Sequence, residues 1–248
     1  MNKCAVISGA SSGIGREIAV TLSRLGFKLL ILGRNQARLD QTQELTKTDC
    51  ESLTADLSQD LSDEFKDSFK NFLTSNSPEQ IILVNNAGSV KRASFSETRI
   101  EDWQEALNQN LYSALRLTQV FLDLSKNIKH KQILNISSTL GLRPITETST
   151  YSAAKAALCS WTQCLALELA PEKIPVNSIC PGLVETPIHD FFETQNTELR
   201  QTLDQMQPLG RMGQVQDIAR AVAFFAEQKE LWVTGVNLPV DGGILLKS

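Results

Sequence analysis

The chain has 248 residues, 42% hydrophobic and 21% charged, and carries a formal net charge of −4. That length and balance suit one globular α/β domain, residues 1–248, with a core large enough to need no staples. They exclude the basic footprint of a nucleic-acid binder, and the longest aliphatic runs (29–32 and 81–84) are strand-sized, too short for a membrane span.

In chain order, short apolar runs fall at residues 4–8, 28–32, 52–55, 81–85, 132–137, 176–180 and 236–239. Helical periodicity fills the intervals 14–25, 36–46, 62–73, 100–126, 151–169 and 214–226. Continuously apolar strands separated by helices predict a parallel sheet covered on both faces. Right-handed crossovers then give a single-domain, Rossmann-type, doubly wound sheet of about seven strands, with ligands at the carboxyl ends of the strands. Residues 181–209 are irregular, rich in proline and partly amphipathic; 183–210 read as a substrate lid beside that edge.

The first strand runs into Ser8-Gly9-Ala10-Ser11-Ser12-Gly13-Ile14-Gly15 and a helical pattern begins at once. Glycines there permit a tight turn and close backbone approach to a pyrophosphate, and the helix N-terminus offers N–H groups to the anion. The second strand ends in Leu32-Gly33-Arg34-Asn35. An acidic residue at that point would accept bonds from a ribose 2′-hydroxyl, whereas Gly33 repels nothing and Arg34 can grip a 2′-phosphate. This predicts a preference for NADP over NAD. Arg34 could instead cap backbone or pair with Asp40 or Glu44, and no second basic residue is evident, since Ser12 stands in the glycine turn.

Tyr151-Ser-Ala-Ala-Lys155 opens a strong helix, placing phenol and ammonium one turn apart on one face. A cation there favours phenolate, and the lysine together with an oxidised nicotinamide would lower the tyrosine from its usual pKa of ~10. Just before, the strand at 132–137 ends in Ser137-Ser138, where a hydroxyl can hold the oxygen that Tyr151 protonates.

The five cysteines (Cys4, Cys50, Cys159, Cys164, Cys180) are scattered and odd in number, which reads as reduced thiols filling the core of a cytoplasmic protein. No metal-ligand spacing appears around them or around His130 and His189. The N-terminus lacks a signal-peptide core. Trp103, Trp161 and Trp232 read as packing residues.

With these residues in place, the chain resembles the short-chain dehydrogenase/reductase family, in its compact soluble branch of about 250 residues, from one end to the other. The matches are Gly9-x-x-x-Gly13-x-Gly15, Asp56-Leu57, Asn85-Asn86-Ala87-Gly88, Asn110, Ser138, Tyr151-x-x-x-Lys155, Pro181-Gly182-x-x-x-Thr186, Pro208-Leu209-Gly210-Arg211 and Thr234-Gly235 followed by Asp241-Gly242-Gly243. The resemblance implies a hydride transfer between NADP(H) and a small carbonyl or alcohol. Ser138 would orient the substrate oxygen and Tyr151 would exchange the proton. Lys155 would lower the tyrosine pKa and hold the nicotinamide ribose, and Asn110 would hold a water of the proton relay. On the cofactor side it implies Gly9, Ser11, Gly13, Ile14 and Gly15 at the phosphates. Asp56 and Leu57 would lie at the adenine and Asn86, Ala87 and Gly88 along the adenosine. Pro181, Gly182, Val184 and Thr186 would wrap the nicotinamide.

Two other readings stay open. Acyl-carrier-protein ketoacyl reductases of this size dock an acidic carrier on a basic patch; here Lys129, His130 and Lys131 are basic, but Glu172 replaces an expected arginine, and Pro175 is a further, harmless departure. A silent dinucleotide-binding regulator would have lost the tyrosine, lysine or serine, and none is lost. Leu140, Leu142, Arg143, Ile145, Thr146, Leu183, Glu185 and the lid are the residues expected to face substrate. The helix at 151–169 is apolar on most sides, the one at 100–126 similarly, and the tail Ile244-Leu245-Leu246 is apolar; together they predict a homotetramer or at least a homodimer.

Overall fold

The computed structural model describes residues 2–186, 197–228 and 232–247. Seven strands, β1 (Lys3–Ser8), β2 (Lys28–Gly33), β3 (Cys50–Thr54), β4 (Gln80–Asn85), β5 (His130–Ile136), β6 (Val176–Pro181) and β7 (Asn237–Val240), form one sheet in the order β3-β2-β1-β4-β5-β6-β7. Every pairing is parallel. The chain runs outward from β1 to β3, then returns to lay β4 against the other side of β1. That reversal opens a crevice above the carboxyl ends of β1 and β4, where such sheets bind ligands.

Alternation along the central strands separates two cores. Ala5 and Ile7 of β1, with Leu29 and Ile31 of β2, pack under α1 (Gly13–Arg24), α2 (Gln36–Glu44) and α8 (Val215–Ala226) through Ile18, Leu22, Leu39 and Phe225. Val6 and Leu30 face the other way, against α3 (Asp63–Asn76), α5 (Ser113–Leu124) and α6 (Ser149–Leu169) through Phe69, Phe72, Phe121 and Leu165. Each fully buried phenylalanine contributes about 1.5–3 kcal/mol of transfer free energy. Helix starts are locally encoded: the side chains of Asn35 and Ser62 accept from Arg38 N and Phe65 N at the heads of α2 and α3.

The long periodic stretch at 100–126 is not one α-helix. It divides into α4 (Ile100–Leu107), a π turn (Asn108–Tyr112) and α5. Periodicity misses this because one extra residue in a turn shifts the apolar stripe without ending it. The irregular stretch contains α7 (Thr197–Met206), while residues 187–196, with His189 and the middle of the expected lid, lie outside the described residues. Trp232 is fully exposed rather than packed, and Cys164 is the exposed thiol beside four buried ones.

Candidate active site

The glycine turn at the end of β1 is tight because its neighbours leave room for nothing else. Gly9 (φ +64°) lies so close to the end of β4 that a Cβ would sit 2.8 Å from Ala87 Cα. A Cβ on Gly15 would sit 2.2 Å from Gly9 O. Asn86 Nδ2 donates to Ser8 O and Gly9 O at 3.0 and 3.1 Å, and Asn86 N and Ala87 N donate to Ser8 Oγ. The two strand ends are thereby stitched into one floor. Ser12 leads into α1 without a side-chain cap, so the first N–H groups of the helix face the cleft with their partial positive charge. This cradle fits a pyrophosphate.

At the far end of β2 the cleft is lined by Gly33, Arg34, Arg38, Asp56 and Leu57. Asp56 accepts from Ser58 Oγ and N at 2.7 and 3.0 Å, and these bonds, with Arg34 nearby, hold its carboxyl below the usual carboxylate range. Asp40 instead accepts from Gln36 at 2.7 Å, and among the described residues neither Arg34 nor Arg38 forms an ion pair. Two uncommitted guanidiniums therefore line the cleft at the end of β2. Arg38 is the second basic residue that the sequence reading lacked; its signal was the i,i+4 spacing from Arg34 across the start of α2.

At the carboxyl edge β5 delivers Ser137 and Ser138, and the first two turns of α6 deliver Tyr151 and Lys155. Lys155 is buried, donates to Ile136 O at 2.9 Å, and places Nζ 5.8 Å from the centroid of the Tyr151 ring. Ser137 Oγ donates to Lys155 O at 3.0 Å, which pins α6 to the strand end. Burial pushes the Tyr151 phenol up to about 12, opposed by a hydrogen bond with Ser138. Burial also pulls Lys155 down to about 8, opposed by the thiols of Cys159 and Cys180. Lys155 by itself thus does not lower the phenol in this geometry. Desolvation of the phenolate outweighs a cation that is itself desolvated and turned toward a carbonyl.

Asn110 sits in the π turn, a feature frequent at functional sites. Its Nδ2 donates to Ser89 O and Ala106 O, both at 3.0 Å, and its Oδ1 accepts from Ser89 N at 3.1 Å. The side chain fixes the loop after β4. A Cβ on Gly88 would lie 2.6 Å from Asn110 Oδ1 and 3.5 Å from Lys155 Nζ, so this loop passes between the two. Beyond β6, Gly182 N donates to Val240 O at 3.1 Å, Thr139 Oγ1 donates to Pro181 O at 3.1 Å, and Val184 bridges Gly213.

One cleft of about 620 Å³ is lined by all of these residues: Gly9, Ser11, Gly13, Ile14, Gly15, Arg34, Asp56, Leu57, Asn86, Ala87, Gly88, Asn110, Ser138, Tyr151, Lys155, Pro181, Gly182, Val184 and Thr186. Of the residues expected to face substrate, Leu140, Ile145 and Leu183 line it, whereas Leu142, Arg143, Thr146 and Glu185 do not. Arg143 turns away to donate to the carbonyls of Leu245 and Lys247 at 3.2 and 2.5 Å. Leu203 and Met206 of the expected lid line it too, while Val90, Arg92, Gln109 and Ile244 line it unforeseen, brought in by a loop, the π turn and the chain end with no local motif to mark them. Among the described residues there is no cluster of metal-ligating side chains, and no helix is long and apolar enough to cross a membrane.

A parallel doubly wound sheet with a glycine cradle at its switch point, and a serine, tyrosine and lysine at the same edge, defines an oxidoreductase of the dinucleotide-binding class. Residues 9–245 match the family described as enoyl-(acyl carrier protein) reductase. The chain belongs to the short-chain dehydrogenase/reductase family. It is 32% identical over 248 residues to the 3-oxoacyl-(acyl-carrier-protein) reductase FabG of Pseudomonas aeruginosa, covering 98% of each chain. Among solved structures it superposes on an actinorhodin polyketide ketoreductase variant with NADPH (TM-score 0.86, 29% identity, 98% and 97% of the chains). It also superposes on the acetoin dehydrogenase of Enterobacter cloacae (TM-score 0.85, 28% identity, 100% and 97%).

Proposed function

We propose that this protein is an NADPH-dependent reductase of a small carbonyl compound, with Tyr151 as the proton donor. The observation that carries the reading is the convergence of Ser138, Tyr151 and Lys155 on the cleft that the glycine cradle opens. The dinucleotide, when bound, supplies the hydride; the residues of this chain position it and manage the proton. Gly9, Ser11, Gly13, Ile14 and Gly15 receive the phosphates. Arg34 and Arg38 receive the 2′-phosphate, Asp56 and Leu57 the adenine, and Asn86 to Gly88 the adenosine side. Pro181, Gly182, Val184 and Thr186 close over the nicotinamide. Ser138 holds the carbonyl oxygen.

A phenol held near 12 is protonated at neutral pH, the state a donor needs as negative charge develops on that oxygen. Lys155, held by Ile136 O, stays mostly cationic at pH 7, 5.8 Å from the centroid of the Tyr151 ring. Asn110 fixes the loop that carries Gly88.

The similarity to FabG supports a second reading, reduction of a 3-oxoacyl thioester. Retention of all four reacting-centre residues speaks against a silent regulator. Exposed Leu167 on α6 and Leu246 in the tail support a homotetramer, and the reduced thiols support a cytoplasmic setting. The deciding experiment is NADPH consumption over a carbonyl panel with wild type and Tyr151→Phe. Turnover should fall at least about a hundredfold, with NADPH affinity little changed. Near-normal turnover of the variant would remove Tyr151 from the chemistry.

A further inference from the structure

We propose that the substrate is a free, uncharged carbonyl compound with an apolar body, and not an acyl group presented by an acidic carrier protein. The inference rests on the carbonyl-reducing reading above and narrows it.

Beyond Ser138 and Tyr151 the cleft wall is made by Val90, Leu140, Ile145, Leu203, Met206 and Ile244, drawn from four separate parts of the chain. The polar side chains that reach the same end are already paired. Gln109 donates to Glu105 Oε1 at 2.9 Å and accepts from Ser89 Oγ. Thr139 Oγ1 donates to Pro181 O, and Thr148 Oγ1 shares hydrogen bonds with Ile145 O and Ser152 Oγ at 2.7 and 2.8 Å. A substrate bearing hydroxyls beyond its carbonyl would leave them without partners here, and each such loss weakens binding by about tenfold or more. An alkyl or aryl body loses nothing and buries its surface.

Charge around the mouth decides the mode of delivery. Among the described residues of 183–210, Glu185, Glu198 and Asp204 stand against Arg200 alone. Its α7 supplies Leu203 and Met206 to the wall and carries Glu198 and Asp204, which places these two carboxylates beside the opening. The neighbouring cations are committed. Arg200 is gripped by both oxygens of Glu185 at 3.0 Å, and Arg92 lies 3.8 Å from Glu147. Arg143 and Lys247 serve backbone carbonyls, Lys247 that of Gln205 at 2.7 Å. An acidic carrier approaching this mouth meets like charge and, among the described residues, no free basic patch.

The test compares four probes with NADPH and the unmodified protein: benzylacetone, fructose, the acetoacetyl thioester of N-acetylcysteamine, and the same acyl group on an acyl carrier protein. Benzylacetone should exceed fructose in kcat/KM by at least about a hundredfold, the loss expected from two unpaired hydroxyls. The carrier thioester should be no better than the short thioester, and its rate should rise with salt as repulsion is screened. A carrier thioester used more than about tenfold better, or a rate on it that falls with salt, would overturn the assignment. So would fructose equal to benzylacetone. If NADPH binds, as read by its fluorescence, and no probe is turned over, the reductase reading itself falls.

Discussion

Replacing Gly15 by alanine sets two opposed effects at one position. In a helix alanine is favoured over glycine by about 1 kcal/mol. The added Cβ, however, would lie 2.2 Å from Gly9 O, 2.8 Å from Gly9 C and 2.5 Å from Asn86 Nδ2. Two of these atoms are backbone, in a loop that Asn86 ties to β4, so neither can swing aside. Restoring an ordinary contact requires the head of α1 to move by roughly 1 Å. Overpacking of this kind costs about 1–3 kcal/mol, which cancels or exceeds the helical gain. At about 2–4 °C per kcal/mol for a chain of this size, the melting temperature should stay level or fall by several degrees. The same displacement lengthens hydrogen bonds from the helix N–H groups to a pyrophosphate. Losing one charge-assisted bond of about 1.5–3 kcal/mol raises the NADPH Kd ten- to a hundredfold. The control is Gly26→Ala. Gly26 has φ +82° and nothing within 4 Å of a built Cβ, so it carries backbone strain of about 1–2 kcal/mol without a clash. It should melt lower and bind NADPH normally. Thermal melts and fluorescence titrations on both variants read the two effects apart. Gly15→Ala binding NADPH like wild type, or Gly26→Ala weakening it equally, would refute the reasoning.

Three further outcomes follow from the site and the surface. Lys155 titrates near 8 in the fold and at 10.5 unfolded, so burying its cation costs stability below pH 8, and that cost is relieved as pH rises to 10.5. Lys155→Met should therefore melt above wild type at pH 7, lose that advantage toward pH 10, and lose turnover; a lower melting temperature at pH 7 would contradict the burial argument. Arg34→Ala and Arg38→Ala should each lower kcat/KM with NADPH by about ten- to a hundredfold and leave NADH nearly unaffected. Equal losses with both coenzymes would show that neither arginine reads the 2′-phosphate. Light scattering should give a multiple of 27.4 kDa at micromolar concentration, and a stable monomer would leave Leu167 and Leu246 unexplained.

The sheet was legible because β1, β2 and β4 are buried along almost their whole length and so read as unbroken apolar runs. The reacting centre was legible because each of its parts has a local cause: a turn needing glycine, an i,i+4 pair, a strand ending in serine. The π turn was not, since hydrophobic spacing tolerates one extra residue. Nor were Val90 and Ile244, whose meeting with the lid residues at one wall is a tertiary fact with no periodic trace. The desolvation of Tyr151 leaves no trace in the sequence for a related reason. Sequence spacing shows which charges are near, but not how much water each has lost.

The π turn at Asn108–Tyr112 also makes a statement about chain length. It stores one residue beyond what a regular helix between Ile100 and Leu124 would need, and helices on either side keep their own phase only while that residue is present. Deleting Gln109 would let the ladder close into continuous α-helix, a gain in regular hydrogen bonding. Yet it would draw Asn110 back by a residue and swing it about the axis by the angle of one helical step. Its three bonds to Ser89 and Ala106 would be left unmade, and the passage of Gly88 between Asn110 and Lys155 would open. The irregularity is therefore a spacer, tolerant of substitution on its outer face and intolerant of any change in count.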